Sequence, residues 1–157
     1  MAFGIDDLIK GVKESRKSFL KHLQGIREDQ WDWKPYAECK SIRETVAHLI
    51  SDDRATQYTL EHGKFPDFEE MDVKETDIQK LLALLAESHD QYCKFVKEKF
   101  ADTPLDTEVP FFSGKAVLGL AISGISSEDY YHSGQVAFIR MATDPSWDYY
   151  ASIYGGM

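Results

Sequence analysis

Four stretches of the chain carry apolar residues at alternating spacings of three and four, and this period limits the fold more than any other feature. In the first, Ile5, Leu8, Ile9, Val12, Phe19, Leu20, Leu23 and Ile26 form one stripe, with Lys10, Lys13, Glu14, Lys17 and Lys21 on the other side. That is the signature of a helix buried along one face, and it predicts helix from Ile5 to about Gly25. The second helix starts at the capping box of Ser41 and Glu44, carries Ile42, Thr45, Val46, Leu49 and Ile50, and persists to His62, with Gly63 as its C-cap. A second box, Thr76-Asp-Ile-Gln79, opens a third helix that runs to about Phe100 on Leu81, Leu82, Leu84, Leu85, Tyr92, Phe95 and Val96. The fourth covers about Lys115 to Met141 and is stopped by Asp144-Pro145. Its Gly119, Gly124 and Gly134 each cost about 1 kcal/mol against alanine, so close helix approach or room for a ligand must offset them.

The joints are long. Arg27 to Lys40 holds Trp31, Trp33, Pro35 and Tyr36, too aromatic for a solvated linker, and is expected to cap one end of the core. Lys64 to Val73 reads as a crossover. Asp102 to Gly114 holds Pro104, Pro110 and Val109-Pro-Phe-Phe, an extended segment or a small hairpin, with proline arguing against a central strand. Both the second and third joints are long enough to connect opposite ends. The aromatic tail from Trp147 to Met157 is expected to dock on the body, with Gly155-Gly156 a loose end. There is no internal repeat. The expectation is therefore all-α: a single domain over residues 1–157, folded as a four-helix bundle with long crossover loops.

Composition bounds the function. With 157 residues, 43% hydrophobic and 13% aromatic, the chain can bury a core without disulfides or metal staples. Cys39 and Cys93 form no framework, no basic-then-apolar leader opens the sequence, and no run of about 18 apolar residues spans a membrane. These features predict a cytoplasmic protein without a membrane partner. Eighteen basic residues against 27 acidic ones leave a formal charge of −9, the reverse of a nucleic-acid footprint, so a small-molecule partner is expected. There is no Gly-rich phosphate loop and no Gly-x-Ser-x-Gly elbow.

The chemistry concentrates in Glu128-Asp-Tyr-Tyr-His132-Ser-Gly-Gln135. Residues four apart on a helix share a face, so Glu128 and His132 can reach one ion. Leu118, Ala121, Ile125, Glu128, His132, Gln135 and Ile139 form one stripe, which directs Glu128 and His132 toward the core. A buried carboxylate needs a cation, a metal or a proton. His48 on the second helix points inward or lies at its stripe's edge and is the third candidate. Two histidines and a carboxylate leave coordination positions free, as a catalytic ion requires. The competing reading is a structural Glu–His pair. His89 shares a stripe with Leu85, Tyr92 and Val96 and is a reserve ligand; His22 and His62 fall on polar faces and are expected in solvent. Cys39, beside Lys40 near a helix start, is a weak nucleophile candidate. No general base is assigned.

At these residues the chain resembles the DinB-like (DinB/YfiT) superfamily of four-helix bundles. The likeness is carried by Trp31-Asp-Trp33-Lys-Pro35, by Ser41-Ile-Arg-Glu44-Thr-Val-Ala-His48-Leu49, and by His132-Ser-Gly134-Gln135 with Arg140 beyond it, and extends from the first helix to Pro145. The resemblance implies a divalent metal, zinc or nickel, held by one histidine of the second helix and a pair of the fourth. Here that pair begins with Glu128, and Ser133 stands where arginine is common. The carry-over gives His48 and His132 as ligands and Glu128 as a substituted one. Such a set suits zinc and also matches the facial arrangement of non-haem iron. The resemblance further implies a metal-dependent hydrolase or a transferase using a low-molecular-weight thiol, and a homodimer. A binding or stress-response bundle without turnover is the alternative. Asp52 and Gln135, one turn from His48 and His132, are the candidates to orient the imidazoles.

Overall fold

In the computed structural model, residues 3–155 are described. In chain order the elements are α1 (Ile5–Leu23), α2 (Ile42–His62), α3 (Phe68–Met71), α4 (Ile78–Phe100), β1 (Glu108–Phe111), β2 (Gly114–Val117), α5 (Leu118–Thr143) and α6 (Tyr149–Tyr154). The four long helices are those the periodicity predicts, and the protein is an all-α bundle with one small hairpin.

Local chemistry sets the helix ends. Ser41 Oγ accepts the Glu44 amide at 3.2 Å while Glu44 Oε2 accepts the Ser41 amide at 2.9 Å, so the expected box starts α2. Gly63, at φ 74°, closes it by donating to the Thr59 carbonyl. The start of α4 differs from expectation. Asp77, not Thr76, is the N-cap, its carboxylate accepting the Lys80 amide at 2.9 Å. The start of α5 is Leu118 rather than Lys115, because residues 114–117 pair instead with β1 in the register Glu108↔Val117 to Phe111↔Gly114. Pro110 is tolerated because a two-stranded ribbon leaves one edge of each strand unpaired.

The core has two apolar layers. One joins Ile5, Ile9 and Val12 of α1 to Leu60 of α2, Val96 and Phe100 of α4, and Leu118 and Ile122 of α5. The other joins Phe19 and Leu23 to Ile42, Val46 and Leu49, to Leu81 and Leu85, and to Val136 and Ile139. The start of α1 thus meets the ends of α2 and α4 and the start of α5. It follows that α1 and α5 run one way and α2 and α4 the other. The helices touch in the ring α1–α5–α2–α4, so the first and third joints each connect diagonal helices, the first at the Phe19 end of the bundle and the third at the Ile5 end. Only the second joint, which contains α3, travels the bundle's length. The third joint, though long enough to link opposite ends, holds the hairpin and does not.

Between the layers lies a polar one. Arg16 of α1 donates from Nη1 and Nη2 to both oxygens of Asp53 at 3.0 Å, and from Nε to Asp129 Oδ1 at 2.7 Å. Ser88 Oγ donates to Asp53 and Ser15 Oγ to Asp129, each at 2.9 Å. All five residues are buried.

At the far end Trp31 is buried and Trp33 packs on the second layer, as expected of a core cap, whereas Tyr36 stands 64% exposed. The tail docks through Ile153 of α6, and Trp147 lies under the Arg140 guanidinium, 4.2 Å from its ring centre. Of the proposed loose end, Gly156 lies outside the described residues.

Candidate metal centre

His48 sits in the second turn of α2, fixed by the capping box seven residues earlier. Helix α5 packs on α2 in the opposite direction and brings Glu128 and His132 to it from across the groove. Glu128 Oε2 lies 3.4 Å from His132 Nε2 and 3.8 Å from His48 Nε2. One donor atom from each of the three residues falls within 4.8 Å of the other two. Ligands at ~2.1 Å around a tetrahedral ion stand about 3.4 Å apart, so the spacing fits a cation with little adjustment.

The donors are also in the right chemical state. His132 Nδ1 lies 2.7 Å from Gln135 Oε1, and because a carbonyl oxygen only accepts, the ring proton belongs on Nδ1. That leaves Nε2 as a bare lone pair, and it is buried without a hydrogen-bond partner. Burial lowers the His132 pKa against the opposing pull of Gln135 and Glu128. Burial, with the neighbouring His132 charge next, takes His48 down to about 4. Both imidazoles are therefore neutral at pH 7, the form that ligates.

Gln135 thus orients His132 as anticipated. Asp52 does something else. Its Oδ2 lies 3.1 Å from Nε2 of His48, the ligating side of the ring, yet outside hydrogen-bond geometry, and is itself buried and unpartnered. Burial first, and then the charges of Glu128 and Asp53, push its carboxyl up to about 7. The buried, unpartnered Nε2 of His132, beside the Glu128 carboxylate, is a donor that a cation would satisfy. The residues present fit the ion.

Two clefts meet at His48 and Phe68. One, about 440 Å³, is polar, with Lys34, Glu38, Cys39, Lys40, Glu44 and Ser51 among its walls. The other, about 460 Å³, is walled mainly by aromatic and aliphatic side chains and reaches Glu128 and Asp52. Cys39 and Cys93 are both free thiols, and burial pushes that of Cys93 up to about 11.

Three expectations change. Glu128 is not a core residue: its side chain is 43% exposed, and the buried carboxylate of this helix is the adjacent Asp129. His89 faces inward but stands apart from the three donors, with Nδ1 3.6 Å from Asp53 Oδ1. His22 is buried rather than solvated, covered by Arg140 and α6, with Nδ1 bonded to the Ser18 carbonyl at 2.9 Å and its pKa lowered chiefly by burial. His62 is exposed, as anticipated. The sequence reading missed Arg16, Asp53 and Asp129, although each stands in a position of its helix's apolar seam.

Fold and site together define a helical bundle with an open His₂Glu cluster between antiparallel neighbours. Residues 12–136 match the DinB superfamily over most of the chain, and the protein belongs to that family. Among curated proteins none matches it. No helix among the described residues is long and apolar enough to cross a membrane.

Proposed function

We propose that the protein is a metal-dependent enzyme, a hydrolase or a low-molecular-weight-thiol transferase, acting on a small molecule. The observation that carries this reading is the convergence of His48, Glu128 and His132 where two clefts meet. His48 and His132 would hold the ion through neutral nitrogens and Glu128 through Oε2, with zinc or nickel the suited metals and iron also compatible. A divalent cation so held lowers the pKa of a water or thiol and supplies a nucleophile near neutral pH. Gln135 keeps His132 in the ligating tautomer. Asp52 Oδ2, unpartnered beside His48, is positioned to take the proton that the nucleophile sheds. The net charge of −9 argues for a small-molecule partner over nucleic acid.

The test is metal content by plasma mass spectrometry on untagged protein. Wild type is expected to carry about one divalent ion per chain, and His48→Ala, Glu128→Ala and His132→Ala to carry little. Equal and negligible metal in all four proteins would remove the reading at its base. Metal-loaded protein should then hydrolyse esters or transfer thiols, and Asp52→Asn should lose rate while keeping its metal.

A further inference from the structure

The apolar cleft has features that holding a cation does not explain. Phe65 and Phe68 from the joint between α2 and α4, Phe111 and Phe112 from the hairpin, and Leu120 and Gly124 from α5 surround its 460 Å³. That is a volume typical of a site for a small organic ligand. Among the described residues no lysine or arginine lines it, and its charged groups are the carboxyls of Asp52 and Glu128, at the end where the candidate metal donors lie.

Folding alone does not account for this rim. Phe112 takes φ 49°, in the left-handed region, yet its ring is 56% exposed. A two-residue turn with positive φ at its first residue prefers glycine there. A bulky side chain in a strained conformation, left half in solvent, points to a role outside the core. Its ring stands 4.4 Å from that of Phe111 and 5.6 Å from that of Phe65, so three phenylalanines edge one opening. Gly124 forms part of the floor: a Cβ there would lie 3.4 Å from Phe111 Cζ, and anything larger would fill the cleft.

We propose that this cleft is the substrate pocket and that it selects an uncharged aromatic molecule, whose reacting end meets Glu128 and His48. Before any metal is bound, an anion in this cleft would face two carboxyls with no lysine or arginine to receive it, whereas the polar cleft on the other side of His48 offers Lys34 and Lys40. The catalytic meaning of the pocket rests on the metal-enzyme reading; binding in it does not.

N-phenyl-1-naphthylamine, a neutral fluorescent aromatic, is titrated into the full chain with and without zinc, with naphthalene and 1-naphthoate as competitors. Saturable binding is expected, and without zinc naphthalene should compete at least tenfold better than naphthoate. Gly124→Val and Leu120→Asp should each weaken binding at least tenfold, while Phe138→Ser, outside the cleft, leaves it unchanged. Phe112→Gly should weaken binding while leaving Tm unchanged or higher. His132→Ala should lose metal and still bind the probe, so failure of the metal reading and failure of the pocket are separable. If Gly124→Val does not fold, Leu120→Asp decides, since that side chain is 58% exposed. The proposal is overturned by absent or non-saturable binding, by equal competition from naphthoate without zinc, or by affinity indifferent to both variants. Probe affinity that falls as protein concentration rises would give the cleft to a second copy of the chain and overturn it equally.

Discussion

Adjacent acids on α5 have opposite roles. Asp129 is fully buried and bonded to Arg16 and Ser15, whereas Glu128 stands 43% exposed between two imidazoles. Removing one partner of a buried ion pair leaves an uncompensated charge, so Asp129→Ala should cost about 3 kcal/mol or more in urea unfolding. Glu128→Gln should shift stability by less than about 0.5 kcal/mol but lose metal. The reverse outcome would place the functional carboxylate one residue away. The histidines give a second prediction. Two ordinary imidazoles of pKa 6.5 would lose about 100-fold in metal affinity between pH 7.5 and 5.5, because protons compete for the lone pairs. His48 is held near 4 and His132 is also depressed, both chiefly by burial, so each takes up fewer protons over that range. The measured loss by competition with a chelator of known pH response should therefore be well under 100-fold. A full 100-fold fall would mean the rings titrate as in water.

The length and period of the helices were legible because each buries one stripe; the error lay in which stripe α5 buries. The sequence reading took Leu118, Ala121, Ile125, Glu128, His132, Gln135 and Ile139, stepping three then four. The buried seam includes Leu118, Ile122, Ile125, Asp129, His132, Val136 and Ile139, stepping four then three. The two share every other residue, and α5 also exposes Tyr130, Tyr131, Phe138 and Met141, so no bare polar face settles the choice. Ile122 and Val136 were the available signal, since they flank Asp129 by seven residues on each side. The same device exposes the rest of the polar layer. Arg16 continues Ile5, Ile9 and Val12 toward Phe19 and Leu23, and Asp53 follows Val46 and Leu49 at seven and four. The hairpin was legible in part, since Val109-Pro-Phe-Phe reads as an extended segment or a small hairpin, but its second strand runs into residues that read as helix. The Asp77 cap was not legible, being a choice between neighbouring oxygens. That choice can be measured. Ser41→Ala should cost about 1 kcal/mol and Asp77→Ala a similar amount, while Thr76→Ala should be near neutral. A larger loss at Thr76 than at Asp77 would restore the box that the sequence suggested.

Across the whole molecule, the polar layer ties all four long helices at mid-height, through Arg16, Asp53, Ser88 and Asp129, and lies beside the candidate metal donors on α2 and α5. One cation serves two buried carboxylates, and they respond differently. Burial opposes the charge of both. His89 and the forked contact with Arg16 overcome it for Asp53, whose pKa is lowered, while the single Nε contact and Ser15 only partly offset it for Asp129, whose pKa is raised. For Asp53 the linkage sign is plain. Its folded pKa lies below the unfolded value near 3.9, so its contribution is present above that pH and is lost as pH falls through the folded pKa. Arg16→Met removes the compensation. Both carboxyls must then fold protonated or charged and unpaired, which should cost about 3–5 kcal/mol at pH 7. The variant's folded carboxyls would now titrate above their unfolded values, so its stability should rise as pH is lowered from 7 to 5. Wild type should gain nothing from Asp53 over that range. Adding Asp53→Leu and Asp129→Leu to Arg16→Met should recover much of the loss, because an apolar layer of similar volume carries no desolvation cost. Urea unfolding at pH 7 and pH 5 on wild type, Arg16→Met and the triple variant reads all three effects. Wild type itself gains from the raised Asp52 and Asp129 over that range, so the excess decides. An Arg16→Met stability that rises no more than wild type's between pH 7 and pH 5 would mean that water, not the guanidinium, neutralises the layer.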